Sequence, residues 1–214
     1  MQNERYGKEL TALPPKPKFT KEEIVQAALA LVSEKGMEAL TARDLGARLG
    51  SSARPVFTVF QSMEEVQCAV CEAAMERLHE SIASAPADLP PFKRVGMGMV
   101  TFAVRQPKLY QLLFMTENDA VSGFDDLFDR MGFMAVDSMH LLMEQYGLTE
   151  PVARIVFEQT WICTFGIGAL CATRAAAFSE EEMSHMLSTA FAGALYTATA
   201  SVPLDEFVRS KLKK

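Results

Sequence analysis

The sequence predicts an all-α protein, and three observations support that prediction. Apolar residues recur at helical spacing through most of the chain, capping residues stand at the starts of these segments, and glycines and prolines stand at their ends. No stretch shows the alternation or the hairpin turns of a strand, and no repeat of roughly 20 to 50 residues is present. With 214 residues, 49% hydrophobic and 22% charged, the composition is that of a globular chain rather than a disordered or fibrous one.

The first helix is predicted over residues 21–35. It follows a polar arm, residues 1–18, in which three prolines disfavour helix. Thr20 and Glu23 have the spacing of a capping box, so each is expected to bind a backbone N–H at the helix start. Gly36 stands where the helix is expected to end, because glycine tolerates the backbone angles of a C-terminal cap.

Two short helices are predicted next. Thr41 is the expected cap of a helix over residues 42–49, which a glycine ends. Ser52 is the expected cap of a third helix over residues 53–60, in which a proline occupies the first turn, where its missing N–H does no harm.

The rest of the chain is predicted to be helical as well. Ser62 and Glu65 indicate a second capping box, at the start of a fourth helix that runs to about residue 85. Further helices are predicted over residues 92–106, 108–115, 125–146, 151–175 and 180–201. Two charge-poor stretches, 159–173 and 186–204, fit buried helices better than membrane spans, because a span needs about 20 mostly apolar residues.

The second and third helices have the layout of a helix-turn-helix, in which the latter helix lies in the DNA major groove. Such a helix must be short, must bury one face, and must present its N-terminal residues to phosphates and base edges. Residues 53–60 meet these requirements. A generic helical hairpin has the same spacing, so the layout alone leaves both interpretations open.

Residues 19–66 add a specific resemblance. The two consecutive alanines of the first helix, the Lys-Gly stop, the Leu-Thr-Ala-Arg-Asp-Leu start of the second helix and the Phe before Ser-Met-Glu-Glu resemble the DNA-binding domain of TetR-type regulators. The resemblance implies a nine-helix protein that dimerises through its last two long helices and binds a small molecule in its C-terminal lobe. It divides the chain into an arm (1–18), a helix-turn-helix domain (19–66) and a ligand-binding and dimerisation domain (67–214).

The resemblance also implies DNA contacts. They fall on Thr41, Arg43, Ser51, Ser52, Ala53, Arg54, Pro55, Phe57 and Thr58. Arg54 has the donors for a bidentate contact with guanine or for a phosphate clamp, and the sequence leaves both open. Phe57 stands where the family usually has a phosphate-binding Tyr, and Met63 where it commonly has Lys, so two contacts are missing. The sequence leaves open whether Lys16 and Lys18, in the arm, reach the adjacent groove or belong to an untethered tail.

The C-terminal part suggests a ligand pocket and a dimer interface. Met and Phe side chains are frequent between residues 97 and 165, which is typical of a core or of an adaptable apolar cavity. The candidate pocket residues are Phe102, Tyr110, Phe114, Met131, Trp161 and Phe165. Small residues that allow close helix packing are the candidate interface: Gly168, Ala172, Ala190, Ala194 and Ala198.

The net charge of −6, taken over the whole chain, argues against nucleic-acid binding, but it is an average. Residues 1–60 contain nine Lys and Arg and seven Asp and Glu, a net of +2, which leaves −8 for the remainder. This asymmetry permits a DNA-facing head on an acidic body, although a solvated surface would look similar.

No enzyme, cofactor or metal is predicted. The three histidines are isolated, and Cys68 and Cys71 have no second pair to complete a zinc site; structural thiols are the favoured interpretation and a redox sensor is the alternative. With no apolar leader at its start, the chain is expected to be cytoplasmic.

The sequence therefore predicts a ligand-responsive transcriptional regulator. The favoured form is a repressor that binds a palindromic DNA operator as a homodimer and is released by a small apolar or aromatic effector. The alternative is a helical ligand carrier or dimerisation module with weakened DNA binding, for which Phe57 and Met63 are the motivating residues.

Overall fold

The computed structural model describes residues 17–117 and 123–200, and over these ranges the chain is helical with no strand, which confirms the all-α class. The nine α-helices are α1 (Lys21–Lys35), α2 (Ala42–Arg48), α3 (Met63–Ala83), α4 (Pro91–Arg105), α5 (Pro107–Phe114), α6 (Phe124–Met131), α7 (Phe133–Tyr146), α8 (Glu150–Ala172) and α9 (Glu180–Thr199). Residues 1–16 of the expected arm and the expected end of the last helix at residue 201 lie outside the described residues.

The number of helices agrees with the prediction, but two members of the set differ. The third helix expected over residues 53–60 is instead a turn that contains a single 3-10 segment, Val56–Thr58. Its backbone N–H groups bond to carbonyls three residues back, from Val56 to Ala53 and from Thr58 to Pro55. The segment is too short for the capped α-helix that the hydrophobic spacing suggested, although it turns the same apolar residues inward.

The helix expected over residues 125–146 is two helices. Gly132 has φ +51°, in the region that favours glycine, and it separates α6 from α7. The periodicity of the apolar residues continues across this break, which is why the sequence pattern read as one segment.

The caps explain where the helices of the N-terminal part begin. Thr20 and Glu23 form the predicted capping box of α1. Ser62 accepts the N–H of Glu65 at the start of α3, but the Glu65 carboxylate accepts the N–H of Gln61, 2.7 Å away, instead of the Ser62 amide. Ser62 is therefore the cap of α3 as predicted, but the capping box is incomplete because Glu65 binds the amide one residue before the expected one.

We call residues 19–66 the head. Its core is formed where α1 packs against α2 and α3, with Ile24, Val32, Leu45, Val56 and Phe60 buried together. The turn at residues 53–60 is therefore fastened to the head by two inward side chains and leaves its other side exposed.

We call residues 67–214 the lobe, and α8 is its central helix. It packs against α4, α5, α7 and α9. Of the helices described, α8 is the one long and apolar enough to cross a membrane by length and composition. Its contacts with four other helices favour a core helix, as the sequence pattern predicts, although part of its surface is exposed.

A hydrogen bond joins the head to the lobe, and a close helix crossing inside the lobe holds the helix that leaves the head. In α1, the Ser33 hydroxyl donates to the side-chain oxygen of Gln106, which precedes α5, at 2.8 Å. In the lobe, α3 crosses α4 at Gly98, where a β-carbon would lie 2.4 Å from Cα of Ile82. The long helix that leaves the head is thus in backbone contact with α4.

Candidate nucleic-acid interface and ligand cavity

The exposed turn of the head is held by a glycine in α2. A β-carbon at Gly46 would lie 2.7 Å from both the Ser52 carbonyl carbon and the Ala53 nitrogen. Gly50, with φ +64°, reverses the chain between the two segments. The backbone of the turn is thereby seated directly on α2, which sets its position relative to the rest of the head.

Four of the expected DNA-contacting residues in and beside the turn are exposed, Ser52, Arg54, Phe57 and Thr58, whereas Ser51, Ala53 and Pro55 are half-buried. Arg54 forms no ion pair with any described residue, so its guanidinium is available. Phe57 is 44% exposed, a large apolar ring on a polar surface. The Thr58 hydroxyl donates to the Pro55 carbonyl at 2.7 Å, so it offers an acceptor rather than a donor to a partner.

Thr41 and Arg43 stand at the start of α2, where phosphate contacts are expected. The Thr41 hydroxyl accepts the Asp44 N–H at 3.1 Å and donates to the Asp44 carboxylate at 2.6 Å. The Thr41 amide also donates, to Ala39. Both donors of Thr41 are thus used inside the protein, whereas exposed Arg43 forms no ion pair within the described ranges.

Lys18 and Ser51 come together although 33 positions separate them. The Lys18 ammonium donates to the Ser51 hydroxyl at 3.1 Å and lies 5.2 Å from the centre of the Phe19 ring. Lys21 lies nearby, with its ammonium 5.5 Å from the centre of the Phe60 ring at the end of the turn. The sequence analysis did not include Lys21 among the DNA-contacting candidates. Its position as the first residue of α1, at an exposed helix start, could have indicated it.

Not every cation of the head is available for DNA. The Arg48 guanidinium binds Glu34 with both terminal nitrogens, at 2.8 and 2.6 Å. The hydrogen bond from Arg48 is the main reason why the pKa of the Glu34 carboxyl lies below its usual value. The exposed cations Lys18, Lys21, Arg43 and Arg54 therefore carry the positive charge of the turn and its surroundings.

The lobe contains a partly open apolar cavity of about 160 Å³ between α4, α7, α8 and α9. Five aromatic side chains line it: Phe92, Tyr146, Phe157, Trp161 and Phe191. Phe191 packs against Phe92 and Tyr146, with ring centres 5.6 and 4.9 Å apart. We call this space the inner cavity; of the six candidate pocket residues, Trp161 is the one that lines it.

The polar side chains that line the inner cavity are Lys93, Ser138, Tyr146, Thr160, Thr164 and Ser188. Lys93 of α4 donates to the Ser188 hydroxyl of α9 at 2.8 Å. Thr160 and Thr164 of α8 donate to backbone carbonyls of their own helix, at 2.7 and 2.8 Å. Sequence reasoning missed Lys93 and Ser188, since 95 positions separate them and neither belongs to a recognisable motif.

A second cavity of about 280 Å³ lies on the other side of Trp161 and Met134, and we call it the outer cavity. It brings together four of the six expected pocket residues: Phe114, Met131, Trp161 and Phe165. Phe102 and Tyr110, also expected in the pocket, line neither cavity. Both are buried in the core, and the Tyr110 hydroxyl donates to the Phe165 carbonyl at 3.2 Å.

The expected interface residues separate into two groups. Ala190, Ala194 and Ala198 line an open groove between α8 and α9, together with Ile155 and Gly193. Gly168 and Ala172 are buried inside their own protomer instead.

The packing of Tyr110 explains why Gly168 is buried within the chain. A β-carbon at Gly168 would lie 2.3 Å from the Tyr110 hydroxyl oxygen, so the glycine makes room for a side chain of the same protomer. The exposed apolar residues of α8, including Ile155 and Ile162, lie elsewhere on the helix.

The cysteines form no site among the described residues, where no group of three metal-binding side chains occurs. Cys68 is exposed and Cys71 is half-buried. Burial raises the pKa of the Cys71 thiol, which disfavours the reactive thiolate.

Comparison with known proteins agrees with this geometry. Residues 24–69, which contain the exposed turn, match the family model of bacterial regulatory proteins of the tetR family. Comparison with curated protein sequences finds no significant match.

The fold is similar to several solved structures. A transcriptional regulator from Pseudomonas aeruginosa PAO1 is 15% identical with a TM-score of 0.60, over 85% of this chain and 94% of that chain. A transcriptional regulator from Rhodococcus sp. Rha1 is 14% identical with a TM-score of 0.58, over 86% and 100%. AibR, solved in complex with isovaleryl coenzyme A and operator DNA, is 14% identical with a TM-score of 0.52, over 79% and 97%.

Proposed function

We propose that this chain, which belongs to the TetR family of bacterial regulatory proteins, is a homodimeric repressor. In this proposal it binds a palindromic operator and dissociates from it when a small apolar molecule binds in the lobe. In this proposal residues 19–66 bind DNA in the cytoplasm, and residues 67–214 dimerise and bind the effector. The observation that carries the proposal is that the region matching the family model contains an exposed turn seated on α2.

Arg54, Phe57 and Thr58 are the residues proposed to face the major groove, since they project from the side of the turn that the core does not cover. Lys18, Lys21 and Arg43 surround the turn and are proposed to bind phosphates, which carry no sequence information but fix the position of the protein. Ser51, which binds Lys18, is placed to orient that cation.

A dimer is proposed because one short turn reads too little DNA to bind tightly. Two copies placed roughly 34–36 Å apart read successive major grooves of a palindrome. The groove lined by Ile155, Ala190 and Gly193 on the outer faces of α8 and α9 is the surface proposed to pair with its copy.

Release by an effector is proposed to run through α4. One side of α4 lines the inner cavity with Lys93, Gly96 and Met99, while Gly98 on the other side is in backbone contact with α3. A ligand that displaces α4 therefore acts on the helix that leaves the head. Its effect on DNA binding is limited to the difference between its affinities for the two states.

The test is selection of bound duplexes from a random DNA pool with the purified protein. We expect enrichment of a palindromic sequence whose half-sites are about one helical turn apart. A variant with Arg43→Glu and Arg54→Glu should enrich nothing, because it reverses two exposed charges without touching the core of the head.

The carrier alternative has one observation in its favour, since the expected recognition helix is reduced to the 3-10 segment Val56–Thr58. Failure of the unmodified protein to enrich any palindrome would overturn the repressor proposal and favour the carrier.

A further inference from the structure

Lys93 places one cation at an otherwise apolar cavity. Of the residues that line the inner cavity, it is the one with a charged side chain. No Asp or Glu of the described ranges lies within ion-pairing distance of the Lys93 ammonium. The first turn of α4, where Lys93 stands, contains no acidic residue and has no side-chain cap.

The hydrogen-bonding capacity of Lys93 is not exhausted. Its ammonium has three donors, and the bond to the Ser188 hydroxyl uses one of them. A half-buried cation with no counter-ion is costly in apolar surroundings, and the cost falls when an anion pairs with it. The cavity therefore gains from an anionic guest at the Lys93 end.

The threonines of α8 also favour an anion at the Lys93 end, because they disfavour one along α8. The hydroxyls of Thr160 and Thr164 donate to backbone carbonyls of their own helix, so they offer the cavity only acceptors, which repel an anion. Lys93 and Ser188 remain as the polar groups on the α4–α9 side. An anionic group is consequently favoured next to Lys93 and disfavoured along α8.

The aromatic walls define the other end of the guest. Phe157 stacks on Trp161 at 6.2 Å between ring centres, and Phe191 packs between Phe92 and Tyr146. With about 10–15 Å³ for each water-sized site, a volume of about 160 Å³ corresponds to roughly 11 to 16 heavy atoms. The body of the guest is therefore small and apolar.

We infer that the effector is a small monocarboxylate with an apolar body, whose carboxylate binds the Lys93 ammonium while its body lies among the aromatic side chains. This inference names the ligand class of the proposed function and rests on it. Charge-assisted hydrogen bonds are shorter and stronger than neutral ones, so the carboxylate supplies preference for the acid over its neutral analogues.

The test compares acids with neutral analogues of the same shape. The probes are 3-phenylpropanoate against 3-phenylpropan-1-ol, and octanoate against octan-1-ol, with Kd measured by isothermal titration calorimetry on the full-length protein at neutral pH. We expect the acid that binds more tightly of the two to have a Kd at least about tenfold lower than that of its alcohol. The two pairs also show whether an aryl or an alkyl body fits the aromatic walls.

Two variants isolate the contribution of the ammonium. Lys93→Met keeps an apolar stem of similar length and should bring the acid-to-alcohol ratio to about one, while Lys93→Arg should retain a preference for the acid. Lys108→Met removes the same charge from α5, outside the inner cavity, and should leave the ratio unchanged.

Three results would overturn the inference: an alcohol that binds as tightly as its acid, no binding of any probe, or an acid preference that survives in Lys93→Met. DNA selection is independent of these outcomes. If the protein enriches a palindrome but shows no preference for the acids, the regulator proposal stands and the monocarboxylate inference fails. If it prefers the acids but enriches no palindrome, the regulator proposal fails while the binding of monocarboxylates at Lys93 stands.

Discussion

The Ala53 backbone nitrogen lies so close to Gly46 that a β-carbon on that glycine would be 2.7 Å away. This contact seats the exposed turn on α2, and the atoms involved are backbone atoms that cannot rotate out of the way. Gly46 is therefore required by packing rather than by its backbone angles.

We expect Gly46→Val to displace the turn and to abolish specific DNA binding. The overpacking should also lower the free energy of unfolding by about 1–3 kcal/mol. Urea unfolding and DNA titration by fluorescence anisotropy measure the two effects. Ala47→Ser, on the exposed side of the same helix, is the control and should change neither; full DNA affinity in Gly46→Val would contradict the packing argument.

Arg54 tests how the turn reads sequence. If its guanidinium binds a guanine, Arg54→Ala should remove about 1–3 kcal/mol of discrimination at one base pair in each half-site. The measurement is duplex selection repeated with the variant. Arg48→Ala is the matched control, because Arg48 is bound to Glu34 and should not affect base preference. A uniform loss over all sequences in Arg54→Ala would assign this residue to a phosphate.

Phe57 lacks the hydroxyl that the family usually has at this position, and 44% of its ring surface is exposed. Phe57→Tyr should add one hydrogen bond to a phosphate and tighten DNA binding roughly two- to tenfold, in line with the net value of such a bond. Anisotropy titration of a selected duplex measures it. Phe57→Leu, with no hydroxyl, should not tighten binding, and equal gains in both variants would count against a phosphate contact.

Ile155 tests the proposed dimer surface. It is 48% exposed and lines the groove between α8 and α9. Ile155→Glu should raise the dimer Kd by roughly tenfold or more, because it would bury an unpaired charge in the interface. Val104→Glu is the control, since Val104 is 49% exposed on α4 and lines none of the groove. Sedimentation velocity distinguishes the two; dissociation in Val104→Glu alone would move the interface to α4.

Because Tyr110 is buried, we expect the free energy of unfolding to fall at alkaline pH. Burial raises the pKa of its phenol well above the usual value. An unfolded tyrosine ionises near pH 10, so above about pH 10 the unfolded state loses a proton that the folded state keeps. The free energy of unfolding should therefore fall as pH rises beyond that point.

Tyr110→Phe removes the titrating group and should make this alkaline fall smaller, while costing about 1 kcal/mol at neutral pH through the lost bond to the Phe165 carbonyl. Urea unfolding between pH about 8 and about 11 measures both effects. An unchanged slope in Tyr110→Phe would show that Tyr110 does not carry the pH dependence.

Much of the architecture follows from local sequence rules. The bounds of α1 come from Thr20 and Gly36, and the start of α3 comes from Ser62, because caps and stops act within a few residues of themselves. The same rules failed at Gly132, where an apolar pattern of constant period continues through a break in the helix. They failed again at residues 53–60, where the structure has a turn with the 3-10 segment Val56–Thr58 in place of the expected capped helix.

The sequence by itself determined the all-α class, the helix order and the position of the head, since periodicity, capping and a contiguous motif are encoded over short distances. Only the tertiary structure decided which apolar residues line a cavity, that Lys93 meets Ser188, and that Gly168 faces Tyr110 inside the protomer. These relationships join residues on different helices, and their geometry depends on how the helices cross. A helical pattern states which face of a helix is apolar, but it does not state which neighbour covers that face.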